Sequence, residues 1–232
     1  MITHPLASFT RLLPAVILLL SGCQLESFSE RQARQRQQYM GEAASSQQPL
    51  LWTSRRSPTA DGAISSLMAA HLYGGQASIS GELTPPTLAI LQRCQQSAPQ
   101  PTGALTGSAI GLVGINEGSD LDPGVQASQV VAIIDHHASG SGSGVLALEQ
   151  PRRIDLRPWG ATATILEQQA QRLGVVLPKP LACAALGAIL SQTKGLQSAR
   201  TTPQDRQSAV RLARRAGIQQ AQLLTTFDLE ER

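Results

Sequence analysis

Val130-Val131-Ala132-Ile133-Ile134-Asp135-His136-His137 carries an unbroken aliphatic run into one carboxylate and two imidazoles. A continuous apolar run of this length predicts a strand buried on both faces of a parallel sheet. Ligands of open α/β sheets gather outside the carboxyl ends of such strands. The triplet therefore stands where a site is expected. Its oxygen and nitrogen donors suit a divalent ion of the manganese, zinc or iron type, although three such residues do not complete a coordination sphere. The same residues also read as a histidine pair that closes a strand and is satisfied by backbone hydrogen bonds.

The rest of the chain alternates in the same style. Asp61 to Tyr73 predicts a helix stopped by Gly74-Gly75, and Thr84-Pro85 supplies an N-cap and a first-turn proline for a second, running to about Cys94. Strands are predicted at about 110–113 and 130–134, with a Gly-Ser loop at 139–144. Helices follow at about 161–173, closed by Gly174, and at 179–191. The last helix has the fullest set of end signals: Thr202 as N-cap, Pro203, Asp205 at the third position, Arg211, Arg214 and Arg215 in the final turns, and Gly217 beyond. Strands alternating with helices imply a single α/β domain over residues 51–218, a doubly wound parallel sheet with helices on both faces.

Followed outward from Asp135, the sequence resembles the DHH phosphoesterase superfamily, and within it the N-terminal domain of the manganese-dependent (family II) inorganic pyrophosphatases. Gly81-Glu82-Leu83-Thr84-Pro85-Pro86-Thr87 and Leu91 are similar to that family's segment after its first helix, and Leu112-Val113-Gly114-Ile115-Asn116-Glu117 to its second motif. Gly160-Ala161-Thr162-Ala163-Thr164-Ile165 resembles its Gly-Cys-Thr-Ala-Thr-Ile helix start. Ala188-Ile189-Leu190-Ser191-Gln192-Thr193, then Ser198, Thr201, Thr202 and Asp205, follow its fourth motif and the helix after it. The resemblance implies the DHH fold, a phosphate-containing substrate and a pair of manganese ions, or another divalent metal.

The motifs depart from that pattern at the ligands. The family's first motif, His-x-Asn-Pro-Asp-x-Asp, stands here as Arg55-Arg56-Ser57-Pro58-Thr59-Ala60-Asp61, which keeps only the last aspartate. Gly114 replaces the metal-bridging aspartate of the second motif, and Gln192 replaces the aspartate of Ser-Asp-Thr in the fourth. Of the side chains the resemblance places on metal, Arg55, Thr59, Gly114 and Gln192 are replacements, while Asp61 and His136 are kept. Two ions a few Å apart need hard anionic donors, and a glycine, two neutral oxygens and a cation do not supply them. The sequence thus implies at most one ion, on Asp61, His136 and Asp135, with His137 contacting phosphate as the catalytic candidate. Arg152, Arg153 and Arg157 are candidates for substitute positive charge, or simply solvated arginines.

The N-terminus carries a separate signal. Arg11 precedes the apolar segment Leu12 to Leu20, which is too short to span a bilayer and of the size of a secretory core. Leu20-Ser21-Gly22-Cys23 then resembles the bacterial lipobox, so residues 1–22 are expected to be removed and Cys23 to carry lipid. Gln24 is compatible with sorting to the outer membrane. The expected location is the bacterial envelope, facing the periplasm; the alternative, with an incidental cysteine, is the cytoplasm. Residues 23–50, rich in Gln and Arg, read as a polar tether. Residues 219–232 read as a tail, with the second family domain absent.

Three cysteines include Cys23, and the spacing of Cys94 and Cys183 suggests neither zinc nor a disulfide framework, so both are expected as packed thiols. A net charge of +3 with 3% aromatic residues offers no stacking platform, and no nucleic acid is expected as a partner; a protein partner stays unspecified. Two functions follow from the replaced ligands. One is a non-catalytic binding or scaffolding module at a membrane. The other is a metal-dependent phosphoanhydride or phosphoester hydrolase with a reduced site.

Overall fold

The computed structural model describes residues 49–103, 105–137 and 153–219, with a few single positions outside these ranges. Cys23, the segment 1–22, most of the expected tether, Arg152, the 139–144 loop and most of the tail lie outside the described residues.

Six strands form one parallel sheet in the order β3-β2-β1-β4-β5-β6, with β1 Leu50–Thr53, β2 Gln76–Ile79, β3 Gln100–Pro101, β4 Ala109–Val113, β5 Val130–Asp135 and β6 Arg153–Leu156. The helices are α1 Ala60–Tyr73, α2 Pro85–Arg93, α3 Thr162–Leu173, α4 Lys179–Gln192 and α5 Pro203–Ala216. This is the alternating fold expected from the sequence. Strands β1, β2, β3 and β6 were not legible there, and β3 is a bare two residues, Gln100–Pro101. The other three are only four residues long each, and β6 reads Arg-Ile-Asp-Leu, with no apolar run.

Alternation on β4 and β5 divides the core. Val113, Ala132 and Ile134 join buried residues of all the described α-helices in one cluster, whereas Ile110, Leu112 and Ile133 face the other way and pack with Leu105, Ile115 and Leu121. The second face is covered by the connection from β4 to β5, with its short 3₁₀ turns at Gly118–Asp120 and Ala127–Gln129. Trp52 decides the spacing on the first face. Its indole donates to Gly74 O at 3.0 Å, and a Cβ on Gly111 of the adjacent strand would collide with its ring.

The helix ends obey their sequence signals. Thr59, Thr84 and Thr202 accept from the first turns of α1, α2 and α5, and Gly174 and Gly217 end α3 and α5 in the left-handed conformation. Asp205 does more than complete the Thr202 capping box. Its buried carboxylate also accepts from Gly160 N at 2.9 Å and Thr164 Oγ1 at 2.5 Å, tying α5 to the start of α3. Gly160 is obligatory there, because a Cβ would lie 2.6 Å from Asp205 Oδ2. Asp205→Ala leaves several buried donors unpaired and is expected to destabilise the domain by about 3 kcal/mol, read as a lower urea midpoint at unchanged slope.

One expectation is overturned. Cys94, at the C-cap of α2, and Cys183, on α4, form a disulfide with Cα atoms 5.5 Å apart. They are not separate packed thiols. Sequence spacing does not reveal this pair, because the close packing of α2 on α4 brings residues 89 apart in the chain together.

Candidate functional site

Strand order reverses between β1 and β4, and the segments leaving β1, β4 and β5 converge at that switch point with the start of α3 and the end of α4. Asp61 sits in the first turn of α1, almost fully buried. Its Oδ2 accepts from Thr162 N and its Oδ1 from Ala163 N, both at 2.9 Å. The N-cap of α3, Ala161, has no capping side chain, so Asp61 caps that helix from another part of the chain. Each oxygen keeps one further lone pair.

His136 is also buried. Its Nδ1 lies 3.2 Å from the Trp159 carbonyl, which fixes the proton there and leaves the lone pair on Nε2. Nε2 faces Asp61 Oδ2 at 3.7 Å and the Gln192 amide nitrogen at 3.5 Å. The two family ligands kept in the sequence therefore do meet, at about the separation of two donors on one ion. The third candidate, Asp135, is turned elsewhere. Its Oδ1 accepts from His136 N at 2.7 Å and from His137 Nδ1 at 2.8 Å, while Oδ2 is buried without a partner among the described residues. Asp135, His136 and His137 each offer one donor atom within 4.8 Å of one another.

Of the replaced positions, Gly114 lies beside Asp61 and Gln192 beside His136. Thr59 Oγ1 caps α1 by accepting from Gly62 N at 3.1 Å. Gly114 has φ +66°, and a Cβ there would be 4.0 Å from Asp61 Oδ2 and 3.5 Å from Thr162 Oγ1, so a side chain at this position would enter the site without a clash. Gln192 is the last residue of α4 and brings an amide, not a carboxylate. Arg55 pairs with Asp120 at 2.7 Å, half-exposed, so its charge is compensated by that carboxylate instead of standing alone opposite a metal. One ion fits the Asp61–His136 pair. A two-ion centre does not fit, because no described side chain supplies the bridging carboxylate at 114 or the anionic donors at 59 and 192.

Of the arginines singled out beside the triplet, Arg152 lies outside the described residues. Arg157 makes a bidentate pair with Asp155 at 2.7 and 2.8 Å and lies over the Trp159 ring, and Arg153 is in the edge strand β6. Arg200, in the connection from α4 to α5, is a cation whose charge lowers the His137 pKa, and sequence reasoning missed it because nothing local distinguishes it. Asn116, quoted within the second motif, donates to His137 O at 3.3 Å and holds the triplet's last residue.

The hydrogen bond to Asp135 raises the pKa of His137 above the ordinary imidazole value, burial opposes it, and the charges of Asp135 and Asp61 add to the rise while Arg200 lowers it. A raised folded-state pKa contributes stability that is complete below the unfolded imidazole value and is lost as pH rises through the raised one. Asp135→Asn should return the His137 titration toward the ordinary value in an NMR pH series and flatten this part of the stability profile; an unmoved titration would show that the bond is not formed.

No protein-family model matches the chain. A probable manganese-dependent inorganic pyrophosphatase of Archaeoglobus fulgidus is 34% identical over 140 residues, covering 60% of this chain and 42% of that protein. The manganese-dependent inorganic pyrophosphatase of Methanocaldococcus jannaschii is 29% identical over 171 residues, covering 70% and 54%. A crystal structure of a Methanococcus jannaschii protein described as a putative family II inorganic pyrophosphatase superposes with a TM-score of 0.68 at 24% identity, covering 76% of this chain and 60% of that one. An exopolyphosphatase-related protein from Bacteroides fragilis superposes with a TM-score of 0.63 at 14% identity, covering 87% and 61%. The fold is a parallel α/β domain with Asp135-His136-His137 at the carboxyl end of a central strand. The homologues of the chain are manganese-dependent family II inorganic pyrophosphatases, and its structural neighbours are a family II pyrophosphatase and an exopolyphosphatase-related protein. The chain spans about half the length of these curated relatives.

Proposed function

We propose that this chain is a pyrophosphatase-like DHH domain held at the bacterial envelope by lipid on Cys23, and that it serves as a phosphate-anion binding or scaffolding module without a two-metal catalytic centre. The observation that carries the reading is Gln192: its amide nitrogen faces the free Nε2 of His136 at 3.5 Å, at the position where the family motif has an aspartate. Asp61, the other retained ligand, already caps α3. Export is supported by the Leu20-Ser21-Gly22-Cys23 motif and by the Cys94–Cys183 disulfide, since structural disulfides persist in oxidising compartments.

One observation favours a second reading, a hydrolase with a reduced, single-ion site. Asp135 Oδ2 is a buried carboxylate oxygen without a partner among the described residues, an arrangement that is costly unless a proton, water or cation meets it. The two readings separate in one assay. With excess manganese the module reading expects pyrophosphate hydrolysis no faster than buffer, whereas turnover that disappears in His136→Ala supports the hydrolase. The anchor has its own measurement. Mass spectrometry of the mature N-terminus is expected to find Cys23 at position one carrying acyl chains, and Cys23→Ser to abolish them; an unmodified Cys23 would remove the envelope reading.

A further inference from the structure

In a parallel α/β sheet the helices run back against the strands, so the carboxyl ends of α2, α3 and α5 and the start of α4 lie at the end of the domain opposite the Asp135 site. Exposed basic residues collect there: Arg93 at the end of α2, Arg172 at the end of α3, Lys179 at the start of α4, and Arg214 and Arg215 in the last turn of α5. The elements are in contact. Arg215 Nε donates to Leu177 O at 2.6 Å, and Arg93, Lys179 and Gly217 line one cleft of about 400 Å³.

Among the described residues the charge is one-sided. From Arg157 to Gln219 the only acidic residues are Glu167 and Asp205, both buried; Arg211 takes Glu167 in a bidentate pair and Asp205 is filled by helix-end donors. The acidic residues that reach the surface between 82 and 122, Glu82, Glu117, Asp120 and Asp122, lie in segments following the strand carboxyl ends. At the basic end one apolar side chain also protrudes, Val176, 61% exposed in the turn between α3 and α4. The chain enters the fold here too. Leu50, the first residue of β1, lies against Gly75, just past the end of α1, so residues 23–49 join the domain at its basic end.

We propose that this end of the domain is a docking face for an anionic phospholipid surface, with Val176 at the headgroups and the Asp135–His136–His137 mouth turned away from the membrane. The proposal rests on the membrane reading of Cys23. Phosphate headgroups complement the basic cluster, and the tether emerges on the same side as the surface it would reach. Each basic residue held near an anionic leaflet favours docking roughly fivefold, so a loss of three lowers it on the order of a hundredfold.

The test uses the mature full chain on vesicles of phosphatidylcholine alone and of phosphatidylcholine mixed with phosphatidylglycerol. Sedimentation with the neutral vesicles reports the lipid anchor, and the difference between the two vesicles reports the face, so failure of either is seen separately. Amide exchange at 172–182 and 211–218 is expected to slow only on the anionic vesicles. The combination Arg172→Gln, Lys179→Gln and Arg214→Gln should abolish that protection, while Arg56→Gln, Lys194→Gln and Arg200→Gln, an equal charge loss toward the opposite end, should leave it. If the first combination folds poorly, Lys179→Gln alone carries the test, with docking weakened roughly fivefold. Equal exchange on the two vesicles, equal loss in both combinations, or stronger protection by a single-stranded oligonucleotide at the same salt would overturn the proposal.

Discussion

Arg55→His, Thr59→Asp, Gly114→Asp and Gln192→Asp, introduced together, are expected to raise manganese affinity by on the order of a hundredfold or more. A carboxylate about 4 Å from a divalent ion gains several kcal/mol at an effective dielectric of about 20, and even if most is lost to repulsion among three new carboxylates, about 3 kcal/mol remains. The backbone accepts the changes at 55, 59 and 192, and Gly114→Asp adds some strain at a positive φ. Aspartate caps a helix as well as threonine does, so Thr59→Asp keeps the bond from Gly62 N that holds α1. At Gly114 the left-handed φ of +66° is one that aspartate tolerates better than most residues, and the nearest neighbour of a new Cβ is Thr162 Oγ1 at 3.5 Å. Gln192→Asp removes the amide facing His136 Nε2. Arg55→His leaves Asp120 half-exposed in solvent, where losing its partner costs little. Isothermal titration of both proteins with manganese decides the matter, and no gain in the fourfold variant would mean that these positions do not share a metal site. The gain should be lost again on adding His136→Ala.

What the sequence made legible follows from where the physics is local. β4 and β5 were readable because strands buried on both faces are continuous apolar runs, and α5 because Thr202, Pro203, Asp205 and Gly217 each act within one turn of a helix end. The Asp61–His136 meeting was implied only by resemblance to a family, since the two residues come from different strand ends. The Asp61 cap on α3, the Gln192 amide at His136 and the Arg200 charge near His137 are tertiary facts with no local pattern. The same holds for the basic end. Its arginines and lysine are scattered in sequence and become a face only because α2, α3 and α5 end, and α4 begins, at the same end of the domain.

Loss of the Cys94–Cys183 bridge is expected to produce the largest change in stability. In the chain-entropy account, a cross-link between residues 89 apart restricts the unfolded chain by roughly 4 to 5 kcal/mol, with observed effects usually somewhat smaller. It joins the C-cap of α2 to α4 where their packing is tight: a Cβ on Gly187 would press on Ile90 of α2 at 2.5 Å. Without the bridge, α2 keeps its buried Thr87, Ile90 and Leu91 and the Thr84 cap among the described residues. A Cys94→Ser, Cys183→Ser protein should therefore melt about 10 °C lower, taking 2–4 °C per kcal/mol for a domain of this size. The wild-type domain should fall to the same value after reduction. Alkylation adds a test independent of stability, since neither Cys94 nor Cys183 should react in the native oxidised protein and both should react after denaturation with reductant. The compartment enters here as well. A chain retained in a reducing cytoplasm should show the lower melting temperature as isolated under alkylating conditions, whereas an exported one should show the higher. Identical melts with and without reductant, or free thiols at both positions in the exported protein, would remove the bridge and with it the disulfide's support for the envelope location.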